Sequence, residues 1–275
     1  MPPSERLSVT RGSTRLAVER WPGPDPTVVL LHAGVTDRRS WYSVAGALSG
    51  RASLIAYDRR GFGDTAPALE PFSHVEDLLA VLDDVASAPA WLVGSSAGGG
   101  VALDAAITAP ERVAGLVLFA PAVSGAPEPD LDADTARFEP LIDGAIEAGD
   151  IAELNRLEAW LWLDGPAQPE GRVSGPARDL LLDMNLKVLR NAVPEAAGAS
   201  DVRAWNQLDR VRARTTVACG DLDVPFVVER SRKLAELLPD AQHHVLPGTA
   251  HLPQLERPAS VAQLIEQAIP TGARH

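Results

Sequence analysis

The residue types that could carry out covalent chemistry lie in three stretches that are far apart in the chain. Ser96 is the middle residue of a Gly-x-Ser-x-Gly pattern over residues 94–98. Two carboxylates, Asp221 and Asp223, follow one apolar run, and His251 follows a later one. A serine hydroxyl becomes an effective nucleophile when an imidazole accepts its proton and a carboxylate orients that imidazole. The three stretches therefore predict nucleophilic catalysis if the fold brings them together.

The stretch around Ser96 has the pattern of a sharp turn from a strand into a helix. An apolar run, 90–93, precedes it, and an alanine-rich helical pattern, 101–109, follows it. The serine at the apex of such a turn has a strained backbone, and Gly94 and Gly98 leave the space that a Cβ would fill. The turn also sets the first N–H groups of the new helix beside the hydroxyl, where they stabilise negative charge.

The elements that must position these residues form an α/β pattern. Strand and helix signals alternate over residues 27–119, which predicts an open, mostly parallel sheet with flanking helices. Two alternating segments, 7–10 and 14–20, precede it and predict an antiparallel hairpin at the sheet edge. Ligands of such a sheet bind beyond the carboxyl ends of its strands, so the serine, carboxylate and histidine loops are expected to meet there.

The chain divides into a core in two segments and one insertion. Residues 1–120 and 209–275 carry the strand and helix alternation, whereas residues 121–208 lose it and predict a helical cap. Trp160 and Trp162 belong to this insertion and are expected to pack it onto the core, with a pocket role as the less favoured alternative. The helices predicted within the insertion cover about 134–148, about 151–163 and about 176–190.

Composition and hydrophobic patterning argue against two classes of partner. The chain has 275 residues with 45% hydrophobic and 23% charged residues, which is typical of a globular protein. Its formal charge of −12 argues against a nucleic-acid partner, because phosphate binding needs clustered Lys and Arg. No stretch approaches the ~18 consecutive apolar residues of a membrane span. The sequence therefore predicts no nucleic-acid and no membrane partner.

The cysteine count and the first residues bear on location. Cys219 is the single cysteine, so no internal disulfide can form, which fits a reducing compartment. Residues 1–6 lack the apolar segment of a signal peptide, and we therefore expect a soluble, cytoplasmic protein. No cluster of His, Cys and carboxylate residues has metal-ligand spacing, so we predict neither a metal nor a cofactor.

Five motifs together resemble the α/β-hydrolase superfamily, and the resemblance covers essentially the whole chain. The order of the three candidate residues, serine, then carboxylate, then histidine, is the order of this architecture. The motifs are the oxyanion loop Leu30–Gly34, the Asp-x-Arg-Gly-x-Gly turn Tyr57–Gly63, the nucleophile elbow Gly94–Gly99, the acid loop Gly220–Pro225, and the histidine loop Gly248–Pro253 with Glu256 and Pro258.

The resemblance implies a role for each candidate residue. Ser96 is the implied nucleophile, His251 the base and then acid, and Asp223 the carboxylate that orients the histidine. Asp221 remains an alternative to Asp223, although the second carboxylate of the acid loop is usually the functional one. Ser95 stands one position from the apex, so its side chain is expected to point away.

The resemblance also implies an oxyanion hole built from two backbone N–H groups. Ala97 supplies one, and Gly34 supplies the other, with Val35 as the alternative to Gly34. Ala33 stands where the family usually has glycine, and we expect an altered loop rather than a lost one. His32 is expected to pack this loop and not to act in catalysis.

On this resemblance we expect a serine hydrolase acting on a small, fairly apolar ester, lactone or thioester without a cofactor. Perhydrolysis of the haloperoxidase type remains open as an outcome of the same machinery. So does a non-hydrolytic use of the fold, as a lyase, a biosynthetic cyclase or a small-molecule receptor. Fold-level likeness does not identify the substrate.

Overall fold

The structure of the protein is a computed structural model that describes residues 3–68, 71–86, 88–191, 198 and 200–269. Parts of the predicted insertion, 192–197 and 199, therefore lie outside the described residues. So does the end of the second core segment, 270–275.

An eight-stranded sheet forms the centre of the molecule, with strand order β1-β2-β4-β3-β5-β6-β7-β8. The first hairpin and the β2–β4 pair are antiparallel, and every other pair is parallel. The predicted α/β sheet with an edge hairpin is confirmed. The strands are β1 (Glu5–Arg11), β2 (Thr14–Trp21), β3 (Thr27–Leu31), β4 (Ser53–Tyr57), β5 (Ala90–Ser95), β6 (Val113–Phe119), β7 (Thr215–Gly220) and β8 (Ala241–Leu246).

Helices cover both faces of the sheet, which explains why the central strands read as continuous apolar runs. One face packs against α2, α3 and α8, and the other packs against α1 and α10. The α-helices are α1 (Tyr42–Leu48), α2 (His74–Val85), α3 (Ala97–Thr108), α4 (Ala133–Ala136), α5 (Phe138–Ala148), α6 (Ile151–Ala159), α7 (Pro176–Asn191), α8 (Pro225–Leu237), α9 (Pro253–Glu256) and α10 (Pro258–Ala268). Short 3-10 helices span Arg38–Trp41, Pro110–Arg112 and Ala204–Arg210.

The segment between β6 and β7 contains α4 to α7, and we call it the insertion. The helix predicted over 134–148 is divided into α4 and α5, which meet at Arg137. The helix predicted to run through Leu163 ends as an α-helix at Ala159 and continues as a π-helix, Trp160–Asp164. Since consecutive apolar residues fit either spacing, the sequence pattern does not reveal this change.

Candidate active site

Ser96 occupies the turn between β5 and α3. Its φ of 51° and ψ of −117° lie in a region that L-residues seldom adopt, as expected for the apex of such a turn. The turn is tied to the next strand connection, because the Ser96 N–H donates to the Phe119 carbonyl (2.8 Å) and the Ser96 carbonyl accepts from the N–H of Ala122 (3.0 Å). The strained conformation is therefore held by backbone contacts on both sides.

The two glycines of the turn meet the steric need that the sequence indicates. A Cβ built at Gly94 would lie 2.5 Å from the Gly98 carbonyl oxygen. A Cβ built at Gly98 would lie 2.4 Å from the carbonyl oxygen of Leu31, at the end of β3. A larger residue at Gly94 would therefore distort the turn itself, whereas one at Gly98 would push the turn away from the end of β3 and from the loop that follows it, residues 32–37, which we call the β3 loop.

His251 and Asp223 form a buried pair beyond the ends of β8 and β7. The Nδ1 atom of His251 lies 2.9 Å from Oδ2 and 3.1 Å from Oδ1 of Asp223. Both residues are almost fully buried, with exposed fractions of 5% and 4%. Among the described residues, no hydrogen bond joins the Ser96 hydroxyl to the His251 ring. In structures without substrate, such catalytic hydrogen bonds are often long and tighten when substrate binds.

Asp221 lies in the same loop but makes a different contact. Its Oδ1 accepts from the backbone N–H of Gly248 at 2.6 Å. It therefore bridges the acid loop to the histidine loop, whereas the carboxylate in contact with the His251 ring is that of Asp223.

The loop after β3 lies against the first residue of α3. A Cβ built at Gly34 would be 4.0 Å from the Cβ of Ala97, so these two residues are neighbours beside Ser96. Ser95 is fully buried, and its hydroxyl accepts from the side chain of Gln254 at 3.3 Å. The expectation that the Ser95 side chain points away from the apex agrees with this contact.

The insertion reaches the histidine directly. The indole of Trp162 and the imidazole of His251 have ring centroids 4.7 Å apart, and the His251 N–H donates to the Trp162 carbonyl at 3.2 Å. Gly165, with φ of 97°, follows the π-helix and lies so close to the acid loop that its Cβ would be 2.3 Å from the Leu222 carbonyl oxygen. The π-helix thus packs on both loops that carry the buried pair.

Arg172 anchors this contact. It donates to the carbonyls of Leu163 (2.7 Å) and Gly248 (3.2 Å), and its Nη2 lies 2.5 Å from Oε2 of Glu256. The other oxygen of Glu256 accepts from the N–H of Ala250 at 2.7 Å, next to His251 in sequence. Burial raises the pKa of Glu256, while these contacts favour its ionised form. One arginine therefore joins the insertion to the histidine loop.

Two further observations concern metals and membranes. Within the described ranges, no group of three or more His, Cys, Asp or Glu side chains is arranged to hold a metal ion. No helix in the part of the chain that the structure describes is long and apolar enough to cross a membrane.

Comparison with known proteins identifies the family. A sequence model of the alpha/beta hydrolase family matches residues 28–264. The chain belongs to this family. Among similar structures, that of a hydrolase from Pseudomonas aeruginosa has a TM-score of 0.76, with 24% identity over 96% of this chain and 97% of that one.

Two curated proteins resemble the chain over nearly their whole length. The strigolactone esterase D14 of Arabidopsis thaliana is 26% identical, covering 90% of this chain and 93% of its own. A Bacillus subtilis protein, provisionally named 2-succinyl-6-hydroxy-2,4-cyclohexadiene-1-carboxylate synthase, is 23% identical, covering 95% and 96%. Relatives of this chain therefore include an esterase and a protein named as a synthase.

Sequence reasoning missed the residues through which the insertion contacts the histidine loop. The sequence predicts packing for Trp162, with a pocket role as the less favoured alternative, and it predicts no contact with the histidine loop. Arg172 carries no signal because it lies in an irregular segment between α6 and α7. The sequence motif places Glu256 with the histidine loop, but the ion-pair partner of Glu256, Arg172, is distant in sequence. A long-range ion pair of this kind has no local spacing that a sequence pattern could reveal.

Proposed function

We propose that this protein is a serine hydrolase that cleaves a small, fairly apolar ester, lactone or thioester. The observation that carries the proposal is the buried 2.9 Å contact between His251 Nδ1 and Asp223 Oδ2. This pair lies beyond the carboxyl ends of the parallel strands, as does the strained turn at Ser96. A carboxylate at Nδ1 keeps the ring proton there and leaves the Nε2 lone pair free to accept the hydroxyl proton.

The proposed reaction proceeds in two halves. Ser96 Oγ attacks the carbonyl carbon while His251 takes its proton, and the negative charge develops beside the N–H groups of Ala97 and Gly34. The intermediate then expels an alcohol or thiol, which receives the proton from His251 and leaves an acyl group on Ser96. Water, deprotonated by His251, attacks the acyl carbon, releases the acid and restores the serine.

The proposed preference for apolar groups rests on the surroundings of the site. An apolar cluster joins the β3 loop, the insertion and the histidine loop, and we propose that the insertion acts as a cap over the substrate. We propose that this cluster backs one wall of the substrate site, and an apolar wall favours acyl or alcohol groups without charge. The cluster consists of Ala33, Ala159, Leu163, Leu181 and Leu252, with Val35 and Trp162 packed against it.

A non-hydrolytic reaction is the second candidate, and the provisional name of the Bacillus subtilis relative favours it. A synthase or lyase would use His251 to move a proton without forming an acyl-enzyme. Product analysis separates the two, because hydrolysis adds one water and yields an acid group and an alcohol or thiol group, whereas a lyase adds no water and leaves a new double bond in the product.

The proposed hydrolysis is tested with p-nitrophenyl acetate and p-nitrophenyl butyrate. Ser96→Ala is expected to lower kcat by at least about 10⁴-fold, since only substrate binding and stabilisation of the oxyanion would still accelerate the reaction. Ser95→Ala is the matched control, and its kcat is expected to stay within about tenfold of the parent's. Ester turnover that survives in folded Ser96→Ala would contradict the proposal.

We also propose a cytoplasmic location. Cys219 is the single cysteine and is buried, as suits a protein that relies on no disulfide. Fractionation of cells that produce the protein tests this location, and recovery outside the cytoplasmic fraction would contradict it.

A further inference from the structure

Arg59 is a buried cation without a carboxylate partner among the described residues. It is 4% exposed, and its Cζ lies 4.5 Å from the centre of the Phe62 ring. Burial lowers the pKa of its guanidinium to about 10, and its Nε has no hydrogen-bond partner in the described structure. The adjacent Arg60 differs, because its Nε lies 2.7 Å from Oδ2 of Asp77. A buried, unpaired charge is costly, so the contacts that Arg59 does make indicate its role.

Those contacts are with the backbone of the β3 loop. The Nη2 of Arg59 donates to the carbonyl of Ala33 at 3.1 Å and to that of His32 at 3.3 Å. The side chain of His32 adds a second donor, because its Nδ1 lies 2.8 Å from the same Ala33 carbonyl. The Thr36 N–H approaches this oxygen as well, at 3.4 Å. The Ala33 carbonyl is therefore held from several sides.

The tautomer of His32 is fixed by its other nitrogen. Its Nε2 accepts from the backbone N–H of Arg59 at 3.1 Å, so the ring proton resides on Nδ1, where it donates to Ala33. Burial, with Arg59 nearby, lowers the pKa of His32 well below its usual range, and the ring stays neutral. The Arg59 side chain thus holds the loop directly, and its backbone N–H, which side-chain substitutions leave in place, holds His32.

The orientation of the Ala33 carbonyl determines the orientation of the Gly34 N–H. Both groups belong to one planar, trans peptide unit and point in opposite directions. With the carbonyl held on the Arg59 side, the Gly34 N–H is turned to the opposite side of the loop. Gly34 is also the loop residue that lies against Ala97, the first residue of α3.

We propose that Arg59, together with His32, is a positioning residue that orients the Gly34 N–H as an oxyanion donor. The inference rests on the proposed function and deepens it, because it assigns the second donor to Gly34 instead of Val35. Arg59 touches no reacting atom in this account and acts only through the Ala33–Gly34 peptide.

A misdirected oxyanion donor lowers kcat much more than it changes KM, because the charge exists only in the transition state. Complete loss of one donor costs about 10²–10³-fold in kcat. Arg59→Met and Arg59→Lys are expected to lower kcat about 10- to 100-fold, with KM within about threefold. Arg60→Lys is the matched control, since Arg60 donates to Asp77, Thr14 and the Arg11 carbonyl, and to no group of the β3 loop in the described structure.

Two further measurements distinguish positioning from a general structural role. Butylboronic acid forms a tetrahedral adduct with an active serine, so its inhibition constant is expected to rise in parallel with the loss of kcat in the Arg59 variants. In Arg59→Ala, added guanidinium ion at millimolar concentration is expected to restore part of kcat. Circular dichroism and thermal melting establish that each compared variant is folded, and Arg59→Lys is used if Arg59→Met does not fold.

The outcomes separate the two claims. One outcome overturns the inference about Arg59 and leaves the proposed function intact. In it, the folded Arg59 variants have the same kcat and the same boronate inhibition constant as Arg60→Lys, while Ser96→Ala abolishes turnover. Arg59 variants with a raised KM and an unchanged kcat would also overturn the inference about Arg59. If Ser96→Ala retains turnover, the proposed function fails first.

Discussion

The indole ring of Trp162 lies against the imidazole ring of His251, with centroids 4.7 Å apart. Its carbonyl also accepts the backbone N–H of His251. The insertion thus contacts the proposed base through both side chain and backbone. Substitutions in the insertion are expected to alter the chemical step without touching Ser96 or Asp223.

Trp162→Ala is expected to lower kcat/KM about 10- to 100-fold, because a catalytic group displaced by about 1 Å can lose this much rate. Trp162→Phe keeps an aromatic ring on His251 and is expected to stay within about threefold. Trp160→Ala is the control, since Trp160 packs on Phe138 and donates to the Gln168 carbonyl. Steady-state kinetics with p-nitrophenyl butyrate measure all three. Equal losses for Trp160→Ala and Trp162→Ala would contradict a specific contact with His251.

Arg172 is expected to stabilise the protein through its buried contact with Glu256. Arg172→Met leaves that carboxylate without its cation and is expected to lower the free energy of unfolding by about 3 kcal/mol. Glu256→Gln keeps an acceptor for the Ala250 N–H and is expected to cost less. Urea unfolding at pH 7 measures both variants. A larger loss for Glu256→Gln than for Arg172→Met would be inconsistent with this reasoning.

The two carboxylates of the acid loop are expected to differ sharply. Asp223→Asn removes the charge beside His251 Nδ1 and permits the wrong ring tautomer, so kcat is expected to fall about 10³–10⁴-fold. Asp221→Asn weakens only the contact with the Gly248 N–H and is expected to lower kcat less than about tenfold. The comparison uses the same ester assay, and the reverse order would assign the orienting role to Asp221.

Asp58 is expected to make the free energy of unfolding decrease as the pH rises. Burial raises the pKa of its carboxyl from 3.8 to about 6, despite the ion pair with Arg38. The folded protein therefore binds more protons than the unfolded chain between about pH 4 and pH 6. The contribution of Asp58 to the free energy of unfolding is therefore full below about pH 4 and is lost as the pH rises through about 6. From pH 4 to 7 the parent is expected to lose roughly 2–3 kcal/mol of unfolding free energy relative to Asp58→Asn.

Urea unfolding of both proteins at several pH values measures this difference. Asp64→Asn is the control with the opposite sign, because the hydrogen bond from Arg38 lowers the pKa of Asp64. Its contribution is present above the unfolded pKa and is lost on acidification. A parent that gains stability relative to Asp58→Asn as pH rises would contradict the raised pKa.

The turn at Ser96 is predictable from sequence because its signature lies within one short stretch of the chain. Gly94 and Gly98 are required by contacts within the turn and with the adjacent loop, and the flanking strand and helix have clear periodicity. The continuous apolar runs likewise predict a sheet that is covered on both faces. In these regions, the local sequence pattern agrees with the tertiary structure, so the pattern predicts it.

The contacts of the insertion depend on tertiary structure and are not predictable in the same way. The change to a π-helix at Trp160 accompanies a hydrogen bond from its Nε1 to Gln168, within a loop of irregular structure. The stack of Trp162 on His251 joins residues 89 positions apart, and no periodicity specifies such a pair. The contacts of Arg59 with the β3 loop are of the same kind.

The most direct test of the central claim is the site at which a fluorophosphonate probe forms its adduct. We predict one adduct, on Ser96, identified by mass spectrometry of the digested protein and lost in Ser96→Ala and His251→Ala. The Ser95→Ala control is expected to be labelled like the parent. A folded parent that remains unlabelled, or that carries the adduct on another residue, would contradict the assignment of Ser96 as the nucleophile.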